Sequence, residues 1–173
     1  MLLVVAVGIG VGVLLILLIA RYGPPVEQFA RMSSAPQITP AEFEDLITDL
    51  VRALGLGVVF ISRGTGSVID ATLRDAKPLA GGRLLLHASP VLDHGKIEAS
   101  EVLGFADSVR SDTGTIKGVF IALAGFTDEA RSAARGSPAP LDLLDGPALL
   151  EIVRDVLPDR VALLRGYRGF VPA

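Results

Sequence analysis

The chain contains no cysteine, and that absence removes disulfide frameworks, thiolate metal sites, a cysteine nucleophile and a lipoprotein anchor together. An excess of positive charge is missing too. The 16 Lys and Arg stand against 19 Asp and Glu, for a net charge of −3 and a pI near 5.3. No global basic field therefore draws the protein to nucleic acid or anionic lipid, and any such binding has to come from a local patch. Lysine occurs only at Lys77, Lys96 and Lys117. There is no internal repeat and no low-complexity block.

What the chain has in abundance is apolar mass. Half of its 173 residues are hydrophobic and the mean hydropathy is +0.55, more than an average soluble domain carries. Much of it lies at the start, where Leu2 to Ala20 holds no polar side chain. A helix of that length spans about 28 Å, close to one bilayer core. Nothing basic follows Met1, and the run ends Leu18-Ile19-Ala20 before Arg21, so a retained anchor is expected rather than a cleaved signal. Arg21 and Arg31 follow the span and no side-chain charge precedes it, which by the positive-inside bias puts the C-terminal domain on the cytoplasmic side of the inner membrane. Gly8 and Gly12 have the GxxxG spacing of a homodimerising membrane helix, although glycine is also simply common there. Pro24, Pro25, Ser33, Ser34 and Pro36 then describe a tether. The expected organisation is an anchor over 1–21, a linker over 22–38, a folded domain over 39–157 and a tail over 158–173. In that tail Arg160, Arg165 and Arg168 interleave with Tyr167 and Phe170, which suits contact with membrane or nucleic acid, or packing on the domain itself.

The folded domain opens on a strong helix signal. Thr39 is an N-cap, Pro40 sits at the first helical position and Glu42 closes a capping box. Phe43, Leu46, Ile47, Leu50, Val51 and Leu54 follow as one apolar stripe, ended by Gly55 or Gly57. Glu44 lies on the flank of that stripe. Val58 to Ser62 reads as a strand, Gly64-Thr65-Gly66 as a turn and Val68 to Leu73 as the returning strand of a hairpin. After the breaks at Lys77-Pro78 and Gly81-Gly82, the apolar run Leu84 to Ala88 reads as a strand buried on both faces in the centre of a sheet. A helix over Ile97–Arg110, a strand over Ile116–Ala124, a helix capped by Thr127 and ended by Gly136, a strand over Leu141–Leu144 and a helix begun by Asp145-Gly146-Pro147 and stopped by Pro158 complete the order. Early strands close enough to pair antiparallel, followed by strands separated by helices, predict an α/β domain with a mixed sheet of about five strands between helices.

Four stretches, in this order, resemble the Mrr family of type IV restriction endonucleases. They are Ala41-Glu42-Phe43-Glu44-Asp45-Leu46 with Arg52-Ala53-Leu54-Gly55; Gly64-Thr65-Gly66-Ser67-Val68-Ile69-Asp70; Lys117-Gly118-Val119-Phe120-Ile121 followed by Gly125-Phe126-Thr127-Asp128-Glu129-Ala130-Arg131; and Pro140-Leu141-Asp142-Leu143-Leu144-Asp145-Gly146. The resemblance covers about Ile38 to Val156 and implies a three-layer restriction-endonuclease-like core, here preceded by the transmembrane helix. It also implies DNA as partner and Mg²⁺ as cofactor. In such nucleases a first-helix acid, an aspartate opening the second strand and a Glu or Gln two residues before a lysine on the third strand surround the metal. Hard carboxylate oxygens hold the ion, and the ion and lysine polarise a water and neutralise charge developing on phosphorus.

Carried over residue by residue, Glu44 matches the first acid and Asp70 the aspartate, so these are the implied metal ligands. The third-strand pair falls on His87 and Ser89, with Ser89 at the lysine position. Leu85, His87 and Ser89 share a face because strand side chains alternate. Imidazole is nevertheless a poor Mg²⁺ ligand, suited rather to Zn, Mn or Ni, and a hydroxyl cannot supply the missing charge. Lys96 is the lysine best placed to substitute. The basic residues that follow the third strand in the family are replaced by Pro90-Val91-Leu92-Asp93-His94. The expectation is a domain of endonuclease fold whose cleavage is lost or weakened, with an active metal-dependent endonuclease and a structural module of a membrane complex as the alternatives.

Overall fold

The computed structural model of the protein describes residues 38–64, 67–77, 81–90 and 95–165. The chain divides into two units, Met1–Ala35 and Pro36–Ala173, and every described residue belongs to the second. The apolar run Leu2–Ala20 with its Gly8 and Gly12, the tether as far as residue 37, and the tail from residue 166 lie outside the described residues. Among the described residues no helix is long and apolar enough to cross a membrane.

Helix α1, Pro40–Ala53, starts as its sequence dictates. The Thr39 hydroxyl accepts the Glu42 N–H at 3.2 Å and the Glu42 carboxylate accepts the Thr39 N–H at 2.8 Å, closing the capping box. Phe43, Leu46, Ile47, Leu50 and Val51 are buried. Leu54, counted in the apolar stripe, is instead exposed, because the helix stops at it and Gly55 takes the positive φ of +74° that turns the chain away.

Strands β1 (Leu56–Arg63), β2 (Ile69–Asp75) and β3 (Arg83–Ser89) form an antiparallel meander. Helix α2 (Ala99–Ser111) carries the chain to β4 (Thr115–Ala122), parallel to β3, and α3 (Asp128–Gly136) carries it to β5 (Leu141–Asp145), parallel to β4. The sheet order is β1-β2-β3-β4-β5. The domain is therefore α/β with a mixed five-stranded sheet, as the element order predicts. In β1 the register slips between Val58 and Phe60, which leaves Val59 as a bulge on an edge strand.

Alternation along the strands separates two cores. Ile69, Ala71, Leu73, Leu86 and Ala88 meet Phe43 and Leu46 of α1 and Leu149 and Val153 of α4, Gly146–Val156. Phe120 and Ala122 on the other side meet Val102 of α2 and Phe126 and Ala130 near α3. Asp145 caps α4 by accepting the Ala148 N–H at 3.0 Å and also binds Arg131 at 2.5 Å. After a 3₁₀ turn at Pro158–Arg160, helix α5 (Val161–Arg165) stays with the domain: Val161 and Leu164 are buried in the α1 core, and Arg160 reaches Asp49 at 2.5 Å.

Strand β3 occupies the centre of the sheet, but it is not buried on both faces. Leu86 and Ala88 are buried on the α1 side, whereas Leu85 and His87 are half-buried on the other. The packing of α2 is incomplete there, and the gap is a cleft.

Candidate functional site

The cleft measures about 470 Å³ and opens between the β1–β2–β3 meander and α2. Its floor is Leu85 and Thr72, its aromatic walls are Phe60, Phe105 and Phe120, and Asp70, His87 and Glu101 supply its charge-bearing groups. The antiparallel register sets Asp70 directly opposite His87. His87 Nδ1 lies 2.6 Å from Asp70 Oδ1, and with Asp70 ionised this contact places the imidazole proton on Nδ1. The ring is fixed further by Phe120, edge-to-face at 4.5 Å, and by Phe105 at 5.8 Å. The His87 side chain is 27% exposed and that of Asp70 51%, so the pair faces the cleft rather than the core.

The other expected site residues lie elsewhere. Glu44 is held by Arg63 of β1, which donates from Nε at 2.7 Å and from Nη2 at 2.6 Å. That bidentate hydrogen bond holds the Glu44 carboxyl below its ordinary range. Ser89, at the lysine position, is buried at 6% exposure. Lys77 lies 3.8 Å from Asp75 and Lys117 is paired with Asp142 at 2.5 Å. Lys96 is exposed and, like the other two, lines no part of the cleft.

The structure thus brings Asp70 and His87 together and ties Glu44 to a different partner. Among the described residues no three His, Asp or Glu side chains converge to hold a metal ion. Mg²⁺ held by the single carboxylate of Asp70 would have to complete its octahedral shell with waters and substrate phosphate. The donor set is therefore poorer than the one implied by the resemblance. Phe60, Glu101, Phe105 and Ser108 also line the cleft, and sequence reading passes over them as site residues. Phe105 carries a usable signal as an inward aromatic on α2. Phe60 gives none until the strand pairing is known.

The mixed five-stranded sheet with helices around it is an α/β fold like that of restriction endonucleases. The solved structure of the DNA modification-dependent restriction endonuclease AspBHI matches it with a TM-score of 0.52 at 19% identity, over 77% of this chain and 36% of that one. The MspJI restriction endonuclease, solved in complex with a 27-mer oligonucleotide, gives 0.47 at 17% identity over 76% of this chain and 31% of that one. This chain spans only about a third of the length of those structures. No curated protein matches it. The restriction endonuclease family model Mrr_cat matches residues 35–153, and the chain belongs to that family.

Proposed function

We propose that this chain is an Mrr-type restriction-endonuclease domain that has given up metal-dependent cleavage and retains nucleic-acid recognition, held at the cytoplasmic face of a membrane by Leu2–Ala20. The observation that carries the loss of cleavage is the 2.6 Å contact between Asp70 and His87. A carboxylate committed to an imidazole has fewer lone pairs for a hard cation. The group two residues beyond His87 on the same face is Ser89, which brings no positive charge to a reacting phosphate. Family membership favours DNA as the partner, and AspBHI, whose fold this chain shares, is described as a DNA modification-dependent restriction endonuclease. Anchoring is supported by the apolar length of the N-terminal run and by the arginines that follow it.

The test is a nicking assay with the full chain on supercoiled plasmid in Mg²⁺ or Mn²⁺. The expected outcome is no nicking above the metal-free control. Metal-dependent nicking that disappears in Asp70→Ala would establish an active endonuclease instead. Gel shifts on duplex DNA address binding separately, because an affinity built on phosphate contacts falls steeply with salt, whereas a purely structural module gives no shift.

A further inference from the structure

The cleft that holds Asp70 and His87 has the wrong chemistry for a phosphate and the right chemistry for a base. Among the described residues no Lys or Arg lines it. On the neighbouring elements Arg63 is held by Glu44, Arg83 by Asp112 and Lys117 by Asp142, while the exposed Arg74 of β2 lines a separate pocket with Arg83 and Lys77. An anion entering the cleft would meet the carboxylates of Asp70 and Glu101, with no Lys or Arg of the described lining to offset them. The lining is instead mostly apolar, and three of its residues are phenylalanines. Phe105 and Phe120 pack edge-to-face at 5.4 Å, while Phe60 stands on the rim with 61% of its surface exposed. An exposed phenylalanine at the mouth of an aromatic cleft offers a flat apolar face to a flat ligand.

The polar groups then select among flat ligands. Asp70 gives Oδ1 to His87 and keeps Oδ2 as a pure acceptor. Glu101 gives Oε1 to the Glu98 N–H at 3.2 Å, which closes the cap of α2, and keeps its other oxygen. In its neutral form, with the proton on Nδ1, His87 presents a lone pair at Nε2. The Ser108 hydroxyl donates to the Gly104 carbonyl at 3.1 Å and so also presents lone pairs. The cleft is a ring of acceptors around an aromatic slot, and what it calls for is a planar ring carrying N–H donors.

We propose that this cleft binds an unpaired, amino-bearing nucleobase: cytosine, adenine or guanine. The base stacks on Phe60, and its exocyclic amine donates to Asp70 or Glu101. Uracil and thymine place a carbonyl where that amine lies and set it against a carboxylate, so they are rejected. At about 470 Å³ the cleft is within the range of small-ligand sites and admits a base with its sugar while the phosphates stay outside. The ligand is a free nucleoside or a base displayed on a single strand, two sources of the same chemistry. The inference deepens the nucleic-acid reading above and rests on it, but its test uses neither cleavage nor duplex binding, so the two can fail separately.

The experiment is calorimetric titration of the full chain with cytidine, adenosine, guanosine, uridine and thymidine, and with single-stranded oligodeoxycytidylate and oligothymidylate. Cytidine, adenosine and guanosine are expected to bind at least about ten-fold more tightly than uridine and thymidine. Phe60→Ala should weaken cytidine about ten-fold through lost stacking, and its exposed position leaves the fold intact. Asp70→Asn, nearly isosteric, replaces one acceptor by an amide that can donate to a carbonyl and should shift the preference toward uridine. Oligodeoxycytidylate binding more tightly than cytidine assigns the base to a strand, and cytidine binding at least as well assigns a free nucleoside; either supports the site. Equal affinity for cytidine and uridine, an unchanged affinity in Phe60→Ala, or no binding of any nucleoside or single strand overturns it.

Discussion

The two faces of the sheet are made from alternate residues of the same strands, and they have been put to opposite uses. On the α1 and α4 side, Ile69, Ala71, Leu86 and Ala88 disappear under Phe43, Leu46, Leu149 and Val153. On the α2 side, Asp70, Thr72, Leu85 and His87, interleaved one for one with those residues, line an open cleft. The closed face explains why the domain folds. The open face, half-covered and carrying an acid beside an imidazole, is where ligand chemistry is available. Because strand side chains alternate, substitutions on one face can be made with little direct contact with the other.

The sharpest test of that division uses one residue type on both sides. Phe43 is fully buried and Phe60 is not. Phe43→Ala leaves a void between α1 and the sheet and should cost about 3–5 kcal/mol, a large share of a domain's total stability. Phe60→Ala should stay within about 0.5 kcal/mol of the parent. Urea unfolding of the two variants measures both, and similar losses would erase the distinction between a structural and a functional face.

A smaller effect is expected where the α2 side is densest. A methyl added at Gly118 would lie 2.6 Å from Val109 Cγ2, 2.7 Å from Leu141 Cδ2 and 2.8 Å from Phe105 Cε1. Gly118→Ala should therefore cost about 1–3 kcal/mol by overpacking. It should also displace the Phe105 ring that walls the cleft, so nucleoside affinity should fall along with stability. Loss of one without the other would separate the cleft from the core beneath it.

The smallest effect is expected at the exposed pair of Glu44 and Arg63. Arg63 lowers the folded-state pKa of Glu44 through its hydrogen bonds. The stabilisation is therefore present above the ordinary glutamate range and is lost as pH falls through the depressed value. Parent and Glu44→Gln should differ slightly in unfolding midpoint at neutral pH and converge in acid, the difference being small because the pair is open to solvent. A gap that widened in acid would contradict the assigned partner.

Much of this architecture can be read from the residues alone. The capping box at Thr39 and Glu42, the stripe from Phe43 to Val51, the Thr127 and Asp145 caps and the order of antiparallel then parallel strands are all local signals, and the structure realises each of them. Leu54 departs from its period because the turn at Gly55 intervenes before its side chain can reach the sheet. The site was legible only in part. Asp70 and His87 fall on one face by simple alternation, but their contact depends on the β2–β3 register. The engagement of Glu44 by Arg63 and the arrival of Phe60 and Glu101 at one cleft depend on how separate elements pack, and no periodicity encodes that.

The order of the strands in space repeats their order in the chain, so no strand has to be inserted between two that are already paired. During synthesis the sheet can grow by accretion at one edge, each new strand finding its neighbour already in place, which keeps loop-closure distances short. The exception is the α1 core, which waits for Leu149 and Val153. A nascent chain that ends at β5 would hold its five strands with the α4 share of that core still uncovered, and apolar surface left open in this way favours aggregation.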